Sequence, residues 1–168
     1  MSIANVITIA RGALIVPVVW LFLSGQRTAA AVLFAVVCAG DILDGIVARA
    51  RHEVTTLGKA LDPIVDKALY VSLLSSLLVL GEMPVLAYVA FLVPQVALGI
   101  GAIFLQLRHR KIQAARWIGK AASALSFFGL FFLLVRWPGG LELFCIAVGL
   151  TYIAGIDYLL AARSLSAP

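Results

Sequence analysis

Residues 28–48, TAAAVLFAVVCAGDILDGIVA, and residues 57–80, LGKALDPIVDKALYVSLLSSLLVL, decide the architecture. Each is a continuous, mainly apolar run of the length an α-helix needs to cross a bilayer, roughly 20 residues. Between them stand only the eight residues RARHEVTT, 49–56. A connection that short makes the two runs antiparallel neighbours. Four aspartates break the apolar pattern, all on the side of this connection. Asp41 and Asp44 lie near the end of the first run, Asp62 and Asp66 near the start of the second.

The same ruler applied outward yields six spans, approximately Ile3–Leu23, Thr28–Ala48, Leu57–Leu80, Pro84–Leu107, Trp117–Val135 and Leu141–Ala161. Short polar or Gly/Pro-bearing breaks separate them, at 24–27, 81–84 and 136–140. The runs lack the period-2 alternation of membrane strands. Lipid-exposed irregular backbone would leave its polar groups unpaired, so helices are required. The expected fold is an all-α membrane protein, a six-transmembrane-helix bundle. No internal repeat or linker divides it, and residues 1–168 read as a single domain.

Composition agrees. Hydrophobic residues make up 63% of the chain and charged residues 12%, and mean hydropathy is +1.10. Soluble domains carry about 25% charged residues, so lipid must be the solvent for most of this surface. Lys and Arg set the orientation. Arg11, Arg49, Arg51, Lys59, Lys67, Arg108, Arg110, Lys111, Arg116, Lys120 and Arg163 fall on one side, eleven of thirteen, and only Arg27 and Arg136 on the other. Both termini and the aspartates are therefore expected at the cytoplasmic face of an inner or plasma membrane. The net charge of +5 comes in short clusters suited to phosphates and lipid head groups. Nothing has the aromatic-basic interleaving or zinc spacing of a nucleic-acid module. Cys38 and Cys145 read as small buried hydrophobes, His52 and His109 as solvated loop residues. The N-terminus has no basic stretch before its apolar run and reads as a first span, not a cleaved leader.

Carboxylates in apolar helices cost about 2.5–3.5 kcal/mol each at the helix centre. These four converge. At 100° per residue, Asp41, Asp44, Gly45 and Ala48 share an arc of about 100° on the second helix, and Gly58, Asp62 and Asp66 an arc of about 80° on the third. The small residues leave space beside the acids. Four carboxylates around one cavity repel one another and need a cation. Oxygen-only donors without His or Cys favour Mg²⁺, Mn²⁺ or Ca²⁺ over zinc or copper. Four acids are generous for one Mg²⁺, so two ions are the natural stoichiometry, and two-metal sites suit phosphoryl chemistry. Pairing the aspartates with Arg49, Lys59 and Lys67 as helix glue would explain neither the small residues nor the shared faces. An ion-coupled transporter would place its acids at mid-membrane between two similar halves, whereas these lie at one edge. A non-catalytic membrane subunit would bind no divalent ion.

Asp41-x2-Asp44-Gly45-x2-Ala48-Arg49-x8-Gly58-x3-Asp62-x3-Asp66 resembles the signature of the CDP-alcohol phosphotransferases. Leu57–Lys67 and Asn5–Arg11 are similar to the branch that makes phosphatidylglycerophosphate or cardiolipin, and Trp117–Lys120 and Gly155–Tyr158 resemble the glycerophosphate-using enzymes. Ala4 stands where that branch usually has proline, and Val93–Ala97 replaces a charged element common in it. The resemblance implies an enzyme that transfers a phosphatidyl group from CDP-diacylglycerol to an acceptor hydroxyl and releases CMP. Glycerol 3-phosphate is the first expected acceptor, then phosphatidylglycerol, then an inositol phosphate. It further implies that Asp41, Asp44 and Asp62 ligate two ions, Mg²⁺ or Mn²⁺, and that Asp66 is both ligand and general base. Gly45 and Ala48 would admit the cytidine, with Arg49 near the nucleotide or its carboxylate partners and Gly58 beside the acids. A homodimer is the oligomer the resemblance implies.

Acceptor recognition has its own candidates. Lys120, Arg108 and Arg110 belong to a basic cluster suited to an acceptor phosphate, although positive-inside topology would produce a similar cluster. Asn5, Thr8 and Arg11 recur at spacings of three, on one helix face, and are expected to contact substrate.

Overall fold

The computed structural model describes the backbone of residues 3–50, 56–107 and 117–164, and side chains within 8–40, 64–97 and 117–157. Every described element is helical: α1 (Ile3–Leu23), α2 (Arg27–Ala50), α3 (Thr56–Val79), α4 (Val85–Leu107), α5 (Trp117–Leu134) and α6 (Gly140–Ser164). Each end falls within three residues of the boundary expected from hydropathy and breaks. Two helices are, over their described residues, long and apolar enough to cross a membrane: Trp117–Leu134 and Gly140–Asp157. The chain divides into two compact units, Met1–Glu82 with α1–α3 and Met83–Pro168 with α4–α6.

In the first unit α1 packs on both α2 and α3. Among its described side chains the buried ones are Thr8, Arg11, Val18 and Phe22, one helical stripe that is apolar toward the α1–α2 turn and polar at Arg11 and Thr8. Ala30, Ala31, Phe34 and Val37 of α2, and Leu69, Leu73, Leu74 and Leu77 of α3, complete the core. Spacings of three and four keep each set on one face.

Two tight turns close the apolar end of this unit. The amide of Gln26 donates to the Leu21 carbonyl and that of Gly25 to Phe22. The same pattern recurs where Glu82 donates to Leu77 and Gly81 to Leu78. Gly25 and Gly81 have φ of 81° and 71°, the left-handed conformation this helix end requires and glycine adopts without strain. Arg27, at the start of α2, pairs with Glu82 and sets its guanidinium 4.9 Å from the Phe22 ring centroid. One ion pair thus ties together the ends of all three helices.

In the second unit α5 and α6 form a hairpin, with α4 against α6. Gly129 sets the approach: a Cβ there would stand 2.8 Å from the Phe144 Cα and N. Phe144 is fully buried and packs against Phe91 of α4, with ring centroids 5.6 Å apart and planes tilted by 37°. We expect Gly129→Ala to force the hairpin apart and cost about 1–3 kcal/mol. Gly149→Ala, with no neighbour within 4 Å, is expected to be neutral or to gain helix propensity, up to about 1 kcal/mol. Thermal unfolding in detergent reads both. Equal melting temperatures for the two variants would show that the close approach at Gly129 contributes nothing.

Candidate functional site

Two contacts fix how α2 and α3 run past each other. Phe34 of α2 meets Tyr70 of α3 edge to face, with centroids 5.9 Å apart. Farther along, Arg11 of α1 reaches both helices. A Cβ on Gly40 would lie 3.6 Å from the arginine Cδ, and its Nη2 donates to Asp66 Oδ1 at 2.5 Å. Position 34 is thus level with 70, and 40 with the neighbourhood of 66, so the two helices are antiparallel. Gly12 of α1 supports the same packing, since a Cβ there would lie 3.5 Å from Val65 Cγ2.

Helical rise then sets the depth of the acidic positions. Measured from the Phe34–Tyr70 level at about 1.5 Å per residue, Asp66 lies about 6 Å along, Asp41 about 10 Å, Asp62 about 12 Å and Asp44 about 15 Å. All four backbone positions fall within a layer about 9 Å deep. They lie at the end of the unit away from the Arg27–Glu82 pair.

The side chains of Asn5, Asp41, Asp44, Gly45, Ala48, Arg49, Gly58 and Asp62 lie outside the described residues, as do Arg108 and Arg110 entirely. Thr8, Asp66 and Lys120 are described. Thr8 is buried at 2% exposure, on the same stripe as Arg11 at 3%. Lys120 is exposed in the first turn of α5, in the second unit. Asp66 has a divided environment. Its side chain is 43% exposed, while the arginine that holds it is 4% exposed. One carboxylate oxygen is thereby anchored from inside the unit, and the group still opens outward.

Such a carboxylate fits a hard divalent cation. It offers oxygen, it is accessible, and its orientation is fixed. Among the described residues no three acidic, His or Cys side chains gather at one point; three of the four candidate ligands lie outside that set. The contact that periodicity alone could not supply is Arg11 to Asp66, between residues 55 positions apart. The polar pair Thr8 and Arg11 in an apolar helix signalled a special face, expected to contact substrate; the partner the structure gives Arg11 is Asp66.

Comparison with known proteins bears on what these acids do. Over 98% of this chain and 82% of the relative, it is 34% identical to a probable phosphatidylglycerophosphate synthase of Mycobacterium tuberculosis strain H37Rv. It is 30% identical to the CDP-diacylglycerol–glycerol-3-phosphate 3-phosphatidyltransferase of Escherichia coli K12, over 88% of this chain and 83% of that one. A sequence profile for CDP-alcohol phosphatidyltransferases matches residues 1–157, a stretch that includes α1, the four signature aspartates, α5 and α6 as far as Asp157. On the profile match over most of its length and on these relatives, the chain belongs to the CDP-alcohol phosphatidyltransferase family.

Proposed function

We propose that this phosphatidyltransferase is an integral membrane enzyme that moves the phosphatidyl group of CDP-diacylglycerol to glycerol 3-phosphate and releases CMP. The activities for which the two relatives are named support this choice of substrates. The observation that carries the reading is Asp66, an accessible carboxylate with one oxygen fixed by a buried arginine, at the last position of the aspartate signature.

The family uses divalent metal ions. Asp41, Asp44, Asp62 and Asp66 would hold two of them, Mg²⁺ or Mn²⁺, whose charge offsets that of the donor diphosphate and of the departing CMP. Asp66 takes the proton of the acceptor hydroxyl as its oxygen bonds to the phosphatidyl phosphorus. The bond from that phosphorus to the bridging oxygen breaks, and CMP departs with the electron pair. Gly45 and Ala48 leave room for the cytidine on the Asp41–Asp44 face of α2, with Gly58 opening the matching face of α3. Arg49 lies one residue beyond, near the nucleotide. Lys120, Arg108 and Arg110 supply positive charge for the acceptor phosphate, with Asn5 and Thr8 as further polar contacts.

In the same reading all six helices span the bilayer as one bundle over residues 1–168. Both termini and the site lie on the cytoplasmic side, because eleven of the thirteen Lys and Arg residues fall there. The working enzyme is a homodimer.

The test is an acceptor screen on protein reconstituted in phosphatidylcholine vesicles with CDP-diacylglycerol and Mg²⁺ or Mn²⁺. Glycerol 3-phosphate is expected to give CMP and phosphatidylglycerophosphate, identified by mass. Cardiolipin formed from phosphatidylglycerol instead would reassign the acceptor, as would a product from inositol phosphate. No CMP release with any acceptor overturns the proposal.

A further inference from the structure

Helix α1 carries none of the signature aspartates, yet it packs against both helices that do. Toward their acidic end its buried stripe turns from Phe22 and Val18 to Arg11 and Thr8. We propose that Arg11 is the positioning residue for Asp66: its buried guanidinium holds one carboxylate oxygen, so that the group presents a fixed face to the metal ions and the acceptor hydroxyl. This rests on the reading of Asp66 as ligand and base given above.

The placement of the arginine is the first support. Lysine and arginine ordinarily lay their stems along apolar surface and keep the charge in water. Arg11 does the opposite. It is turned inward, with its side chain 4% exposed, and its stem lies across Gly40, where a Cβ would be 3.6 Å from Cδ and 3.8 Å from Cγ. Burying a charge this way costs several kcal/mol unless well-placed partners offset it. Topology or lipid attraction would not require that cost, since an outward arginine serves both.

The asymmetry of the pair is the second support. Asp66 is 43% exposed while Arg11 is buried behind it, so the carboxylate is gripped from within and stays open in front. A general base oriented by a third group recurs in unrelated active sites. A guanidinium suits this role because it remains protonated at every working pH and so fixes a base without exchanging its proton with it. Partners that orient metal ligands typically matter by 10–100-fold in affinity or activity.

The experiment compares Arg11→Lys and Arg11→Gln with wild type and with Asp66→Asn, all in vesicles. The readouts are CMP release, Mn²⁺ binding followed by electron paramagnetic resonance, and thermal unfolding. Both arginine variants are expected to lose about 10–100-fold in kcat and about 10-fold in Mn²⁺ affinity, with the KM for CDP-diacylglycerol changed by less than about 3-fold. Arg11→Lys should recover part of the loss, since it keeps the charge without the planar fork. Should Arg11→Gln fail to fold, Arg11→Lys carries the measurement, because it keeps the charge and most of the stem. Folded variants with wild-type kcat and Mn²⁺ affinity overturn the proposal even if their melting temperature falls, because the arginine is then structural. If Asp66→Asn is inactive in that case, the underlying reading stands and only the role of Arg11 fails. If Asp66→Asn is fully active, the reading of Asp66 itself fails.

Discussion

Replacing Asp66 with asparagine is expected to lower CMP release by about 10³-fold, roughly 4 kcal/mol of transition-state stabilisation. Asparagine is nearly isosteric and can still accept a hydrogen bond from Arg11, so the packing of α1 on α3 is disturbed little. It cannot take a proton from a hydroxyl, and it is a weaker metal ligand than a carboxylate. The two roles separate in the kinetics. Loss of the base alone lowers kcat for every acceptor while donor binding and metal affinity persist. Loss of the ligand also raises the metal concentration needed for half-maximal rate. Asp66→Glu restores the charge on a longer stem and tests placement. With Arg11 buried and fixed, the extra methylene displaces the carboxylate, and most of the activity should stay lost. Single-turnover CMP release across a Mn²⁺ series measures all of this. An Asp66→Asn enzyme within a factor of about 10 of wild type at saturating metal would exclude Asp66 as the base.

The helices were legible in the sequence because their signals are local. Apolar length defines each helix, and Gly25 and Gly81 mark where two of them must stop. The third such stop is less obvious. Arg136 takes the same left-handed conformation, at φ 55°, with the amide of Trp137 donating to the Phe132 carbonyl. An arginine carries no sequence signal for that geometry. The aspartate signature was legible for a related reason, since positions three and four apart share a helix face whatever the tertiary packing. The partnerships of these residues were not legible. Arg11 with Asp66 and Arg27 with Glu82 each join residues 55 positions apart, and such pairs depend on the angle and depth at which α1 and α2 lie against α3. Periodicity put Thr8 and Arg11 on one face and pointed that face at substrate, whereas both are buried in the unit and Arg11 meets Asp66. Gly129 is similar. As one glycine in a run of Phe and Leu it reads as a gap, and only the α5–α6 crossing gives it a role.

Removing divalent metal is expected to abolish turnover, and removing one ligand to shift the metal requirement without unfolding the protein. Both effects follow from the electrostatics of the acidic layer. Asp41, Asp44, Asp62 and Asp66 stand on two helices within about 9 Å of depth, and the one arginine placed among the described residues there grips Asp66. The donor brings a diphosphate and so adds negative charge. A site of that sign binds such a donor only when cations are present. Chelation with EDTA should therefore weaken CDP-diacylglycerol binding as well as halt CMP release, and added Mg²⁺ or Mn²⁺ should restore both. Stability offers an independent reading, because an ion bound only by the folded state stabilises it by about 2.7 kcal/mol at 100 times its dissociation constant. Mn²⁺ should raise the melting temperature of the wild type. In Asp62→Asn the rise should shrink, and the concentration that produces it should increase about 10-fold or more. Asp41→Asn should behave alike if its carboxylate faces the same ions. Calorimetric titration with Mn²⁺ and CDP decides the stoichiometry, with two ions per chain expected in wild type and fewer in Asp62→Asn. An enzyme that keeps full activity in EDTA, or an Asp62→Asn variant with an unchanged Mn²⁺ titration, would remove Asp62 from the metal site and leave the acidic layer without its explanation.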